Sequence, residues 1–255
     1  MRLVSRERVT DNERGFGKFE PGGRTRCNAP RTTTIVNGFG RPVTGGHVKK
    51  ALLLGSKGCG NVIVESALAL AGVPFDCEEV DYSPGSATRE RLLSVNPLGQ
   101  VPALVLPDGT VLTESLAMLH YVDDLAPQAG LIPPRGDPRR AEFYRWAVFL
   151  VAAVYPTFTY GDDPAKWVPN KEGAKELRES TNRHRENLWR QAEAAAKGPW
   201  FLGERMSGLD LYVAPMTYWR PGRKWFAANA PKLFAISEKT AATPKVAAVF
   251  KKHFA

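Results

Sequence analysis

The hydrophobic pattern that begins at Lys50 alternates between short apolar runs and helical stripes. Residues 51–54 read Ala-Leu-Leu-Leu and stop at Gly55, which is typical of a short buried strand. Residues 61–71 then place apolar side chains at the spacing of one helix face, and Gly72 follows as a C-terminal cap. The pattern therefore opens with a strand and a helix.

Three more strands and two more helices follow in the same half of the chain. In the order strand, helix, strand, strand, helix, they are predicted over residues 75–81, 88–95, 101–106, 110–113 and 115–125. A tight Pro-Asp-Gly turn joins the third and fourth strands of the domain into a hairpin. The complete order, βαβαββα, describes a thioredoxin-like sheet.

Beyond the Pro- and Gly-rich residues 130–138, which indicate a linker, the strand pattern stops. Residues 139–155 predict a long helix that bends at Pro156. Further helices are predicted over residues 171–197, 208–219, 230–239 and 244–254. The predicted fold class is α/β plus all-α, with a thioredoxin-like domain at residues 49–128 and an all-helical domain at residues 138–255.

The positive charge is concentrated at one end of the chain. The formal net charge is +9, and residues 1–48 hold eight Arg and one Lys against four acids, a net charge of +5. Lys49 and Lys50 add two more, so the remaining 205 residues carry only +2. A nearly neutral body argues against nucleic-acid binding. Residues 1–48 also lack any helical or strand period, so we predict a disordered basic extension there.

Cysteine, histidine and apolar spacing exclude several classes of protein. Cys27, Cys59 and Cys77 are odd in number and lack CxxC spacing, which argues against a disulfide framework and suits a reducing, cytoplasmic compartment. The four histidines show no metal-ligand spacing, so no metal is expected. The longest apolar stretch, residues 146–155, is too short to span a bilayer, so no membrane association is expected.

The most specific motif is Asn-Pro-Leu-Gly-Gln-Val-Pro-Ala-Leu at residues 96–104. Here the sequence resembles the glutathione transferase family, and the resemblance spans nearly all of residues 49–255. It implies that Pro102 follows a cis bond and that the backbone N–H and C=O of Val101 bind the cysteinyl backbone of glutathione like an added strand. Without the surrounding motif, Val-Pro would indicate only a proline on an edge strand.

A second matching feature is Thr113-Glu114-Ser115, at the start of the third predicted helix. A helix N-terminus offers free N–H groups and a positive dipole end to an anion. The Ser115 hydroxyl can donate to a carboxylate while Glu114 faces an ammonium group. The resemblance implies that this pair binds the γ-glutamyl end of glutathione, although alone the pattern would favour a helix cap with an acidic first turn.

The thiol-activating residue is expected in the loop Gly-Ser-Lys-Gly-Cys-Gly-Asn at residues 55–61. The family lowers the pKa of the glutathione thiol with a helix N-terminus and a hydrogen-bond donor, or uses a cysteine that attacks instead. Ser56 suits the first role and Cys59 the second, while Asn61 and backbone amides stay open. Cys59 stands one position earlier than the bacterial cysteine-type pattern, where Gly60 occupies the matching position.

Aromatic residues cluster where the first long helix ends. The family places its electrophile pocket near this point, so the resemblance makes four residues candidates for that pocket, with packing in the helical core as the equal alternative: Tyr155, Phe158, Tyr160 and Trp167. Further along the chain, Ser207 and Asp210 have the spacing of a capping box that opens a buried helix, with Met206 as its hydrophobic staple.

These motifs predict an enzyme that conjugates the glutathione thiolate to small, mostly apolar electrophiles, as in detoxification. Two alternatives stay open. One is a glutathione-dependent thiol reductase or deglutathionylase that uses Cys59 covalently, and the other is a non-catalytic, transferase-like scaffold. The resemblance also implies a homodimer with glutathione as co-substrate.

Overall fold

A computed structural model of the chain describes residues 50–255, so the basic extension predicted for residues 1–48 lies outside the described residues. Its first half contains, in chain order, β1 (Ala51–Gly55), α1 (Asn61–Ala71), β2 (Phe75–Glu79), α2 (Ala87–Val95), β3 (Ala103–Val105), β4 (Val111–Leu112) and α3 (Ser115–Leu125). The predicted βαβαββα order is confirmed.

The four strands form one mixed sheet in the order β2-β1-β3-β4. β1 and β2 run parallel, in a register that places Leu53 opposite Cys77. β3 runs antiparallel to both β1 and β4, with Leu53 opposite Leu104 and Leu104 opposite Leu112. Parallel pairing of β1 and β2 requires a crossover, and α1 supplies it.

Helices cover both faces of the sheet. On one face, α1 and α3 pack together, and α1 is buried along most of its length because most of its residues are apolar. On the other face, Leu92 of α2 packs with Leu54, Val80 and Ala103 in a small separate cluster. The C-terminus of α1 is closed by Gly72 in the left-handed conformation, with φ of 68°, as the sequence predicts.

The second half of the chain is all-helical, as predicted. Its helices are α4 (Arg139–Phe149), α5 (Tyr155–Asp162), α6 (Lys171–Ala195), α7 (Gly208–Met216), α8 (Arg223–Asn229), α9 (Pro231–Ala241) and α10 (Pro244–Phe254). The short helix α8 is additional to the sequence prediction. In the described part of the chain, no helix is both long and apolar enough to span a bilayer.

The break in the first long helix differs from the predicted bend at Pro156. A π-helical turn at Leu150–Val154 joins α4 to α5, and Pro156 lies in the first turn of α5, which continues to Asp162. Proline lacks the N–H that an uninterrupted α-helix would use at this point, and the wider turn before it accommodates that loss.

The buried helix α7 depends on the capping group predicted from sequence. Asp210 accepts hydrogen bonds from the backbone N–H groups of Ser207 at 2.7 Å and Phe201 at 2.8 Å. Asp210 is fully buried, and this burial raises the pKa of its carboxyl group to about 6 despite those hydrogen bonds. Met206 packs at the edge of the core, the place of a hydrophobic staple.

Candidate active site

A cleft of about 570 Å³ lies between the sheet half and the helical half. On the sheet side it is lined by the loop before β3 and by the start of α3, and on the helical side by the π-helical turn and α5. The residues that line the cleft include Val101, Pro102, Glu114, Ser115, Tyr155 and Pro156. The structure therefore brings both sequence motifs into one cleft.

The loop that carries Val101 is shaped by Asn96, the first residue of the motif. Asn96 is buried, its side-chain nitrogen donates to the Gln100 carbonyl oxygen at 2.7 Å, and its side-chain oxygen accepts from the Leu98 N–H at 3.3 Å. These bonds close the turn before Val101. The bond between Val101 and Pro102 is cis, as the resemblance implies.

Glu114 has a φ of 63°, and within residues 50–255 it is the only residue other than glycine with a positive φ. Such a backbone is costly for a residue with a Cβ atom and occurs most often at functional sites. Glu114 is also the N-cap of α3, so this backbone places the Glu114 carboxylate and the free N–H groups of α3 at the same cleft.

The Ser115 hydroxyl pairs with a residue that the sequence motifs do not indicate. Ser115 Oγ lies 2.8 Å from the hydroxyl of Tyr212, which α7 contributes. Burial raises the pKa of Tyr212, so its phenol keeps a proton that it can donate to Ser115. Ser115 is then left with its own hydrogen to donate to a ligand.

The loop between β1 and α1 is held by a close approach of Asn61 to Gly55. The Ser56 N–H donates to Asn61 Oδ1 at 3.0 Å, and Asn61 is buried. A Cβ atom on Gly55 would lie 2.5 Å from the Asn61 side chain, so only glycine fits there. Asn61 thus has a structural role in fixing the loop.

The two thiol-activating candidates, Ser56 and Cys59, lie side by side in this loop. Burial raises the pKa of the Cys59 thiol, and a hydrogen bond with the Ser56 side chain offsets only part of the increase. α1 starts at Asn61 with Gly60 as its N-cap, so Cys59 precedes the helix. This environment favours a protonated Cys59 at neutral pH, unlike that of an activated cysteine.

The same loop is held from the helical half by contacts on both sides of Gly58. The Gly58 N–H donates to His253 Nδ1 at 3.1 Å, and Trp219 Nε1 donates to the Gly58 carbonyl oxygen at 2.7 Å. His253 Nε2 in turn lies 2.8 Å from a carboxylate oxygen of Glu65. Because Nδ1 accepts a hydrogen bond, Nε2 carries the hydrogen that Glu65 accepts.

The four aromatic residues proposed for an electrophile pocket form two edge-to-face pairs in the structure, Tyr155 with Phe158 and Tyr160 with Trp167. Tyr155 lines the cleft, whereas Phe158 is buried in the core beneath the Arg185 guanidinium. Tyr160 and Trp167 are exposed and stack edge to face on each other, with ring centroids 4.8 Å apart. The apolar part of the cleft wall next to Tyr155 is formed by Val151 and Pro156.

Comparison with known proteins identifies the family. The chain is 36% identical over 202 residues to the uncharacterized GST-like protein YncG of Escherichia coli (strain K12), and the match covers 78% of this chain and 96% of that protein. The chain belongs to the glutathione S-transferase family. The model of the glutathione S-transferase N-terminal domain matches residues 63–125, from α1 to α3.

Solved structures of glutathione transferases share this fold. The crystal structure of a glutathione transferase homolog from Sulfitobacter, with bound glutathione, superposes with a TM-score of 0.70 at 27% identity, over 80% of this chain and 99% of that one. A second relative, glutathione S-transferase GstA of Escherichia coli O157:H7, is 28% identical over 60% of this chain and 73% of its own length.

Proposed function

We propose that this glutathione S-transferase family member is an enzyme that transfers glutathione to small, mostly apolar electrophiles. The observation that carries the proposal is the single cleft that holds Val101 and the Glu114-Ser115 pair on one wall and apolar residues on the other. The structure of the Sulfitobacter homolog contains glutathione, which supports glutathione as the thiol substrate of this protein.

The proposed binding mode uses the charges at the start of α3. The γ-glutamyl carboxylate of glutathione binds the α3 N-terminus and the Ser115 hydroxyl, and the ammonium group binds the Glu114 carboxylate. The cysteinyl backbone pairs with the backbone of Val101 in the manner of an added strand. The glutathione sulfur then lies toward the β1–α1 loop, next to the apolar wall formed by Val151, Tyr155 and Pro156.

The chemical step in this proposal is attack by the sulfur of glutathione itself. Its thiol loses a proton to solvent, and the thiolate forms a bond to the electrophilic carbon of the second substrate while the bond from that carbon to its leaving group breaks, so that the leaving group departs with the electron pair. Attack by Cys59 is less favourable, because burial raises the pKa of its thiol. The cleft accelerates the reaction because it holds both substrates in the orientation that the attack requires.

The first test is glutathione binding by a variant that combines Glu114→Ala with Ser115→Ala. Glu114 is the proposed partner of the glutathione ammonium group, and Ser115 is the proposed donor to its carboxylate. Loss of both should weaken glutathione binding by about 10–100-fold, since charge-assisted hydrogen bonds contribute roughly 1.5–3 kcal/mol each and are not fully additive. Isothermal titration calorimetry measures the change.

The matched control combines Glu90→Ala with Ser94→Ala, which removes the same side chains from the exposed part of α2. This control should bind glutathione like the wild type. Equal affinity of wild type and the Glu114/Ser115 variant would contradict the proposed binding mode. Absence of binding by the wild type would instead favour the non-catalytic scaffold.

We further propose that the enzyme works as a cytoplasmic homodimer and without a metal. Membership of the glutathione S-transferase family supports all three properties. Light scattering on the purified protein tests the dimer.

A further inference from the structure

We propose that a cavity behind the β1–α1 loop, separate from the glutathione cleft, binds a small zwitterion with one ammonium and one carboxylate group, in the manner of a free amino acid. The bound zwitterion holds the loop in one geometry and thereby tightens glutathione binding in the cleft. The site itself goes beyond the proposed function, and only the effect on glutathione affinity rests on that function.

The cavity has a volume of about 220 Å³ and lies at the edge of the sheet, toward the carboxyl ends of the parallel strands β1 and β2. Its floor carries Leu53, Cys77 and Glu79, whose side chains share one face of these strands because side chains alternate along a strand. Helices α1 and α10 and the β1–α1 loop supply the walls. Within residues 50–255, the cavity and the cleft share no lining residue.

Charged side chains of both signs line the cavity, and they are Lys57, Glu65, Glu78, Glu79 and Lys252. Two of the carboxylates already have partners. Glu65 is bonded to Lys252 at 2.9 Å, and Glu78 is bonded to Arg91 of α2 at 2.7 Å. Lys57 and Glu79 are exposed, and neither forms an ion pair with another of the residues 50–255. The cavity therefore offers one ammonium group and one carboxylate to a ligand.

These two charges select the chemistry of the ligand. A zwitterion can place its carboxylate on Lys57 and its ammonium group on Glu79, whereas a simple anion or cation would bond one of them and be repelled by the other. The volume is below the roughly 300–1,000 Å³ of sites for drug-sized ligands, so it suits a molecule of the size of a single amino acid. Leu53 and Cys77 offer an apolar floor to a small side chain.

The walls of the cavity also hold the β1–α1 loop. Ser56 and Lys57 belong to this loop and line the cavity. His253, which is buried in the α10 wall, accepts a hydrogen bond from the Gly58 N–H at 3.1 Å. A ligand that bonds Lys57 on the loop and Glu79 on β2 joins the loop to the sheet. It therefore adds a second attachment to the one that His253 provides.

The other side of the same loop borders the glutathione cleft. A Cβ atom built on Gly60 would lie 3.5 Å from Cδ of Pro102, which lines the cleft. A ligand that rigidifies the loop removes part of the entropy that glutathione would otherwise lose on binding, so the two ligands bind with positive cooperativity. By linkage, each ligand raises the affinity of the other by the same factor.

The first test measures the binding of L-alanine to the full chain by ligand-observed NMR. Two analogues of nearly the same size serve as comparisons, since propionate lacks the ammonium group and isopropylamine lacks the carboxylate. L-alanine should bind with a Kd of about 1 mM, as expected of a ligand with so few atoms. Each analogue should bind at least about tenfold more weakly, because it leaves one charge of the cavity without a partner.

Variants of the lining locate the site. Lys57→Gln and Glu79→Gln should each weaken L-alanine binding by about 3–10-fold, since both charges are exposed and water partly screens them. The matched controls are Lys224→Gln and Glu204→Gln, at exposed positions of the helical half outside the cavity, and they should bind like the wild type. Cys77→Met, on the exposed edge strand, fills the cavity without removing a charge and should abolish binding.

The second test measures the effect on the loop. Saturating L-alanine should lower the Kd for glutathione about fivefold, and saturating glutathione should lower the Kd for L-alanine by the same factor. Isothermal titration calorimetry measures both. Hydrogen exchange of the Gly58 amide reports on the loop without glutathione, and it should slow when L-alanine is added.

The outcomes separate the inference from the proposed function. No binding of L-alanine by the wild type, or equal binding of either analogue, would overturn the zwitterion site. Binding that persists unchanged in Lys57→Gln, Glu79→Gln and Cys77→Met would overturn its location. Unchanged Gly58 exchange and glutathione affinity would overturn the effect on the loop. If the wild type binds no glutathione, the proposed function fails, while L-alanine binding and Gly58 exchange still decide the inference.

Discussion

At the scale of single residues, Gly58 shows how the helical half controls the geometry of the β1–α1 loop. Both backbone groups of Gly58 are bonded to side chains distant in sequence, His253 and Trp219. Glu65 then binds both His253 Nε2 and the Lys252 ammonium, at 2.8 and 2.9 Å. The loop beside the proposed sulfur site therefore depends on a buried carboxylate of α1.

This carboxylate predicts a pH dependence of stability. Burial alone would raise the pKa of Glu65, but the hydrogen bonds from His253 and Lys252 outweigh it and bring the pKa below its ordinary value of 4.5. A lowered folded-state pKa stabilises the protein above 4.5, and this contribution is lost as the pH falls through the folded-state value.

Glu65→Gln should therefore lower the free energy of unfolding by about 1–3 kcal/mol at neutral pH, and the difference from wild type should shrink below pH 4.5. Urea unfolding at several pH values measures this difference. Glu90→Gln, on exposed α2, serves as the control and should stay close to the wild type throughout. A difference for Glu65→Gln that grows as the pH falls would contradict the argument.

At the scale of secondary structure, α5 is the element that carries Tyr155, and α6 holds it in place. Arg185 of α6 is buried, and its guanidinium donates to the hydroxyl and the carbonyl oxygen of Thr157 in α5, at 2.8 and 2.7 Å. Burial lowers the pKa of Arg185 to about 10, which still leaves it charged at neutral pH. Gly161 of α5 permits the close packing of α5 on α6, because a Cβ atom at this position would lie 2.6 Å from the Thr181 hydroxyl oxygen.

Arg185→Met should loosen α5 while keeping much of the buried apolar volume. We expect a loss of about 2–4 kcal/mol in the free energy of unfolding, because the Thr157 carbonyl oxygen loses its donor inside the core. We also expect kcat to fall more than glutathione affinity does, because Tyr155 moves while the α3 N-terminus stays in place.

Denaturant unfolding and steady-state kinetics measure both effects of Arg185→Met. Arg183→Met, at an exposed position two residues earlier on α6, is the matched control and should change neither quantity appreciably. A variant in which stability falls while kcat and affinity both stay at the wild-type level would show that α5 does not position the reacting groups.

At the scale of the whole molecule, the sheet half and the helical half share one hydrophobic core. Apolar residues of β1, α1 and α3 belong to the same buried cluster as residues of α7, α9 and α10. The cleft takes one wall from each half, and Tyr212 of α7 reaches the Ser115 hydroxyl across the boundary. The site is thus complete only when both halves are folded together.

Sequence patterns predict the helices and strands whose ends are determined by residues close by in the sequence. Helices α1 and α3 have their predicted bounds, because their apolar stripes end at Gly72 and at an Ala-Pro step, which stop a helix wherever they occur. Helix α8 has only seven residues, too few for a periodic signal, and was not predicted as a separate element.

The cross-domain part of the site could not be predicted in the same way. Contacts such as Ser115 with Tyr212, and Gly58 with His253, join residues that are 97 and 195 positions apart. No local spacing marks Tyr212, His253 or Trp219 as members of a site. The position of Tyr155 at the predicted helix end makes it an aromatic candidate, but its orientation depends on the π-helical turn that precedes it.

The most direct test of the central claim is a crystal structure of the enzyme with glutathione. The account predicts γ-glutamyl density at the start of α3, on Glu114 and Ser115, with the cysteinyl backbone paired to Val101. The sulfur should lie toward the β1–α1 loop, next to the apolar wall formed by Val151, Tyr155 and Pro156. Glutathione bound elsewhere, or a covalent bond between its sulfur and Cys59, would contradict it.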